Sequence, residues 1–198
     1  MQTSKPISTI SYNSLPFLRA TLDHLLVSNF IDYWMFIPHS GENDGFGEIE
    51  KDHIHLYLIP NKRVNTADLD KFFIEPVIDN KPLRCILWNV SNPDDWILYC
   101  LHDPSYLASK LETRENLYTY GNIETSSEET LRRMYRHAYQ SSGYARTKNL
   151  FEYARSGGTI TDLLKVGAVP INMVNNYVDF FSICKKEVYH TEKDSSNV

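Results

Sequence analysis

The chain has 198 residues, 42% hydrophobic and 23% charged, as expected of a globular protein with one good-sized domain or one domain plus a small appendage. A net charge of −5 excludes a generally basic nucleic-acid coat, so any DNA contact must use a local patch. Cys85, Cys100 and Cys184 are far apart and form no CxxC pair, which excludes a zinc ribbon and a disulfide framework and fits a reducing, cytoplasmic setting. No signal peptide and no apolar run of membrane-span length is expected. With 13 tyrosines, no tyrosine nucleophile can be chosen by abundance.

Residues 5–12, rich in Ile, Ser and Thr, are predicted to form a first strand. Ser14 is expected to cap a helix over 15–28, where Leu15, Leu18, Leu22, Leu25 and Leu26 make an apolar stripe. The run IDYWMFIPH (31–39) reads as a strand, followed by a Gly-rich acidic loop over 40–48 and a second strand over 51–59, a long-looped antiparallel hairpin. Asn65 or Thr66 caps a helix over about 66–74, and 83–90 is another buried strand. Ser91-Asn-Pro-Asp-Asp starts a helix that runs to His102, Asp103-Pro104 breaks it, and 105–111 continue helical. Residues 115–124 are turn-rich with a last strand in prospect. Beyond Ser126 the periodicity is helical: Ser126 or Ser127 opens a helix, Gly157-Gly158 ends one, Thr159 and Thr161 restart one, and Pro170 starts the last. The predicted organisation is an α+β domain over 1–124, a helical region over 125–186 and a disordered tail over 187–198.

Chemistry concentrates on the strand KDHIHLYLIP. Residues two apart on a strand share a face, so His53 and His55 present two imidazoles side by side with Ile54 opposite. Such a pair can bind one divalent metal, or can simply flank a buried Ile on a half-exposed strand. His39 ends the strand expected to pair with this one and offers a third ligand, while the loop supplies Glu42, Asp44 and Glu48. A mixed nitrogen and oxygen set without cysteine suits Mn²⁺, Mg²⁺, Co²⁺ or Zn²⁺ in an open, catalytic site.

The run PHSGENDGFGEIEKDHIHLYL resembles the HUH endonucleases, most closely the small plasmid rolling-circle replication initiators, with their Pro-Leu-His-Asp-Lys-Asp stretch, Gly-Glu-Ile turn and His-x-His strand. Ser40 and Gly41 depart from the family's Asp-Lys, and Glu42 stands where the family has a metal-binding Asp, with Asp44 as the substitute. The resemblance continues through WNVSNPDDWILYCLHDPSYLASK, where Tyr99 takes the position of the family's nucleophile and His102 that of the following histidine. YTYGNI is similar to the family's close of the catalytic domain, and GTITDLLKVGAVPINMVNNYV to its C-terminal helices.

The resemblance implies a five-stranded antiparallel sheet with flanking helices. It implies metal ligation by His39, Glu42, His53 and His55, with Mn²⁺ or Mg²⁺ as cofactor, and a 5′-phosphotyrosine on Tyr99; the metal's field or His102, one helical turn on, is the candidate to help the phenol ionise. The expected activity is nicking and joining of single-stranded or hairpin origin DNA to start rolling-circle replication of a plasmid or phage in a bacterial host. Relaxases and transposases share this chemistry, and a non-catalytic DNA-binding protein that keeps the fold is the alternative of another class. No GxxxxGK[ST] loop is present, so a host helicase and polymerase are the expected partners. Lys62 and Arg63, with Arg132, Arg133 and Arg136 in the helical region, are candidates for DNA contact, though Glu–Arg pairing favours a solvated helix face for the latter. The helical region either binds DNA or self-associates.

Overall fold

The computed structural model describes residues 2–41, 51–76, 85–90, 92–114, 116–166 and 174–185. The expected start of the last helix at Pro170 and the expected disordered tail lie outside these residues. The first half of the chain alternates strands and short helices: β1 (Gln2–Thr3), β2 (Ile7–Ser11), α1 (Leu15–Val27), β3 (Ile31–His39), β4 (His53–Pro60), β5 (Val64–Asn65), α2 (Thr66–Asp70) and β6 (Cys85–Asn89). After α3 (Pro93–Cys100), α4 (Pro104–Ser109) and the two-residue β7 (Glu124–Thr125), the chain is helical: α5 (Glu128–Gln140), α6 (Ser142–Arg155), α7 (Ile160–Lys165) and α8 (Val174–Lys185).

Four strands in the order β6-β2-β4-β3 form an antiparallel sheet, and β7 bridges the outer edge of β3 at Met35 and Phe36. The expected β3–β4 hairpin is present. The strands β3 and β4 are near-continuously apolar because helices cover both faces, so a core lies on each side. On one face Ile7, Trp34, Phe36, Ile54, Leu56 and Leu58 pack against Leu18, Leu22 and Leu25 of α1. On the other, Tyr33, Met35, Ile37 and Tyr57 meet Trp96 and Ile97 of α3 and Leu131 and Ala138 of α5. A third cluster joins Ala108 of α4, Ala154 of α6 and Phe180, Phe181 and Cys184 of α8. No helix among the described residues is long and apolar enough to cross a membrane.

Two local expectations need correction. Ser14 stands at the N-cap of α1, but its hydroxyl donates to Glu75 Oε1 at 2.6 Å instead of accepting from the first turn. A charged carboxylate is the stronger partner. The helix α3 stops at Cys100, not His102: Leu101 is its C-cap and His102 turns left-handed with φ 54°. The run 115–124 is turn-rich as expected and its last strand is short, with Glu124 and Thr125 pairing with β3. The segment before them bonds to the α3–α4 corner instead, with Tyr118 N–H donating to the Leu101 carbonyl at 3.2 Å.

Candidate metal centre and tyrosine site

Strand parity carries the apolar face directly into the histidines. Tyr33, Met35 and Ile37 alternate along β3, and the next residue of that parity is His39. On β4 the same face runs back from Tyr57 to His55 and His53. The register sets His39 directly opposite His53 and Ile37 opposite His55. Three imidazoles therefore close one end of the core, with ring centroids 4.5 Å apart for His39 and His55 and 4.9 Å for His53 and His55. One ligand atom from each lies within 4.8 Å of the others. His39 and His55 are buried, while His53 is half-buried.

Backbone carbonyls orient two of the rings. His53 Nδ1–H donates to the Lys51 carbonyl at 2.9 Å, which leaves Nε2 as its lone-pair nitrogen. His39 Nε2–H donates to the Cys100 carbonyl at 2.8 Å, which leaves Nδ1. Such outer hydrogen bonds fix the tautomer of a metal-ligating histidine and raise its basicity. The Nε2 atoms of His53 and His55 stand 3.2 Å apart. Two nitrogens bound at about 2.0–2.1 Å to one tetrahedral ion sit roughly 3.3 Å from each other, so the His53–His55 pair fits a shared cation. These three histidines could bind a metal ion, and three nitrogens alone do not choose among divalent ions. Glu42, the expected carboxylate ligand, its substitute Asp44 and the loop's Glu48 lie outside the described residues.

The helix α3 brings Tyr99 to this end of the sheet. Asn92 caps it by accepting from Asp94 N–H at 3.1 Å, and Pro93 occupies its first turn. Trp96 and Tyr99, three residues apart, face β4 together. Trp96 meets Tyr57 at 5.4 Å between ring centroids, and its indole N–H donates to Ser8 at 2.9 Å. One turn further, the Tyr99 ring stands edge-on to His55 at 5.8 Å. Tyr99 and His102 share a cleft of about 280 Å³ with His53, His55, Ile10, Tyr12, Lys51 and Arg114. Burial pushes the Tyr99 phenol above its usual 10, Glu112 adds to this, and the Arg114 guanidinium opposes it by charge and by a hydrogen bond.

His102 is almost fully buried and lies against His39, ring centroids 4.6 Å apart. Its Nδ1–H donates to the Asn116 carbonyl at 2.7 Å, which leaves Nε2 as the lone-pair nitrogen. The segment carrying Asn116 is the part of the site that sequence reasoning missed. Tyr118 stacks flat on His39 at 4.1 Å, and Asn116 Nδ2 reaches the Ser40 and Gly41 carbonyls at 3.4 Å. Tyr118 does not line the cleft that holds Tyr99. Of the other nearby tyrosines, Tyr120 donates to Glu128 at 2.6 Å and Tyr106 is half-buried, and neither lines that cleft.

The basic residues offered for DNA contact are exposed but stand elsewhere. Lys62 and Arg63 follow the Pro60 end of β4, opposite the His53 end. Arg132, Arg133 and Arg136 lie on the solvent side of α5, Arg132 at 3.9 Å from Glu128. The cations that line the cleft are Lys51, whose Nζ sits 4.8 Å over the Tyr12 ring, and Arg114. No family model matches the chain, and no curated protein matches it.

Proposed function

We propose that the protein is a metal-dependent DNA nicking and joining enzyme of the HUH type, one that starts rolling-circle replication through a covalent tyrosyl intermediate. The observation that carries this reading is the half-buried Tyr99 phenol in one cleft with His53 and His55, its ring against His55. A phosphodiester is anionic, and an unassisted phenol is a poor nucleophile near neutral pH. His39, His53 and His55 would hold a divalent ion, Mn²⁺ or Mg²⁺ if Glu42 or Asp44 completes the set; when bound it supplies Lewis-acid polarisation of a phosphate oxygen.

The chain's own groups account for the remaining steps. The Tyr99 oxygen forms a bond to phosphorus, and the bond from phosphorus to the 3′-oxygen breaks. His102 Nε2 takes the phenol proton and returns it to the departing 3′-oxygen. The products are a 5′-phosphotyrosyl strand and a free 3′-hydroxyl that primes a host polymerase. Because the phosphotyrosyl ester keeps the energy of the original bond, a 3′-hydroxyl can later reverse the step and rejoin the strand. Lys51 neutralises backbone phosphate at the mouth of the cleft, and Tyr12 offers an aromatic face to an unpaired base.

The test is incubation with a randomised library of single-stranded oligonucleotides and Mn²⁺, followed by a denaturing gel and peptide mapping. A DNA adduct on the peptide holding Tyr99 is expected, lost on addition of EDTA and in Tyr99→Phe. An adduct that survives in Tyr99→Phe at the wild-type level removes Tyr99 from the reaction, and Tyr118→Phe then identifies or excludes its nearest rival.

A further inference from the structure

Arg114 has no place in the sequence motifs, yet it stands beside the phenol that the proposed reaction uses. It lines the same cleft as His53, His55, Tyr99 and His102, with its positive charge close enough to the Tyr99 phenol to oppose the effect of burial. It also lines a second, more apolar cavity of about 170 Å³ between α4, α6 and α8, with His102 as a shared wall. The guanidinium therefore stands at the boundary between the open cleft and the helical layer.

Its backbone position is built from both directions. On the near side, Leu111 closes α4 in a left-handed turn with φ 61°, and Glu112 N–H donates back to the Leu107 carbonyl at 3.0 Å. On the far side, Asn116 is held by His102 and by the end of β3, and Tyr118 is fastened to Leu101 and stacked on His39. Arg114 hangs between two anchors that are themselves part of the histidine cluster. Ordering a long cation in this way costs side-chain entropy, so the tethers are a substantial commitment of structure to one side chain.

Chemistry supplies a use for it. A guanidinium presents several N–H donors in a fixed plane, so it can hold a phenol oxygen with one and a phosphate oxygen with another. Attack at phosphorus carries negative charge from the phenol to the equatorial oxygens, and a donor in contact with both follows that movement. Lys51, the other cation of the cleft, already sits over Tyr12 at its rim. The geometry points to Arg114 as a catalytic residue of the nicking reaction, one that orients the Tyr99 oxygen and binds the scissile phosphate. This assignment rests on Tyr99 being the nucleophile.

The experiment uses the full chain, Mn²⁺ and the oligonucleotide sequence recovered by the library selection. Single-turnover adduct formation is measured at saturating DNA for wild type, Arg114→Gln and Arg114→Lys, beside DNA affinity, Mn²⁺ affinity and melting temperature. Arg114→Gln is expected to slow adduct formation by about 10²–10³-fold, the usual effect of removing one such donor. Mn²⁺ affinity should stay unchanged, and DNA affinity should fall by less than about tenfold, so that the loss is in the rate and not in occupancy. Arg114→Lys is expected to restore part of the rate because the charge remains while the planar fork is lost. It decides the matter by itself if Arg114→Gln does not fold: a rate equal to wild type overturns the assignment. An Arg114→Gln rate within threefold of wild type overturns it too, while leaving Tyr99 in place. No adduct with wild-type protein defeats the nicking reading itself, and Arg114 falls with it.

Discussion

At the scale of single residues, the histidines divide their two nitrogens between structure and chemistry. His39 and His53 each spend one N–H on a backbone carbonyl and keep the other nitrogen as a lone pair, that of His53 facing His55 at 3.2 Å. The Cys100 carbonyl that orients His39 follows Tyr99 directly, so one helix end sets both the ligand and the phenol. Three lone-pair donors on a rigid sheet should bind a divalent ion in the native state and not in the unfolded chain. Mn²⁺ at about 100 times its dissociation constant is then expected to stabilise the protein by roughly 2.7 kcal/mol. Thermal melts with and without Mn²⁺ measure this, and the shift should vanish in the His53→Ala/His55→Ala double variant. An equal shift in that variant places the ion elsewhere.

At the scale of elements, the two short helices that bracket the site end alike, with a residue other than glycine in the left-handed turn. His102 follows α3 and Leu111 follows α4. Such a conformation costs a residue with a Cβ about 1–2 kcal/mol. The two cases differ in what offsets it. His102 is buried, donates to Asn116 and lies against His39, so its strain accompanies a role in the site. Leu111 is 49% exposed and no role in the site attaches to its side chain. Leu111→Gly is therefore expected to raise stability by about 1 kcal/mol, read as a higher urea midpoint at unchanged slope. His102→Gly is expected to lower it, because a buried hydrogen-bonded ring is lost. A loss of stability in Leu111→Gly means that its side chain contributes packing beyond its exposure.

At the scale of the whole molecule, the helix after β7 is not an appendage to the sheet. Leu131 is fully buried and shares its cluster with Tyr57 of β4 and Trp96 of α3, and His137 meets Asp94 at 2.9 Å from the exposed side. α5 thus backs the helix that carries Tyr99. Truncating a buried leucine costs about 2–5 kcal/mol. Leu131→Ala should lower the stability of the entire chain by that amount, with tryptophan fluorescence and far-ultraviolet circular dichroism changing together in urea. Two separated transitions, with the sheet unaffected by the substitution, would make α5 an independent unit.

The division between sequence and structure follows from what a local pattern can encode. Alternation with period two put His53 and His55 on one face before any fold was known, and Pro38-His39 marked the end of the neighbouring strand. Cap chemistry narrows each helix start to two candidates, since a cap is satisfied within four residues; the fold selects Asn65 over Thr66, Ser127 over Ser126 and Thr159 over Thr161. Tyr99 was named through a motif resemblance and not through periodicity, which by itself favours a core aromatic beside Trp96. Arg114 and Asn116 stand in an aperiodic stretch whose partners are distant in sequence, His102 and Ser40 among them, so nothing in their own residues announces them as neighbours of the site. Parity within a strand is a property of the chain alone; the meeting of a β-strand pair, a helix end and an aperiodic segment is decided only when all of them pack on the same face of the sheet.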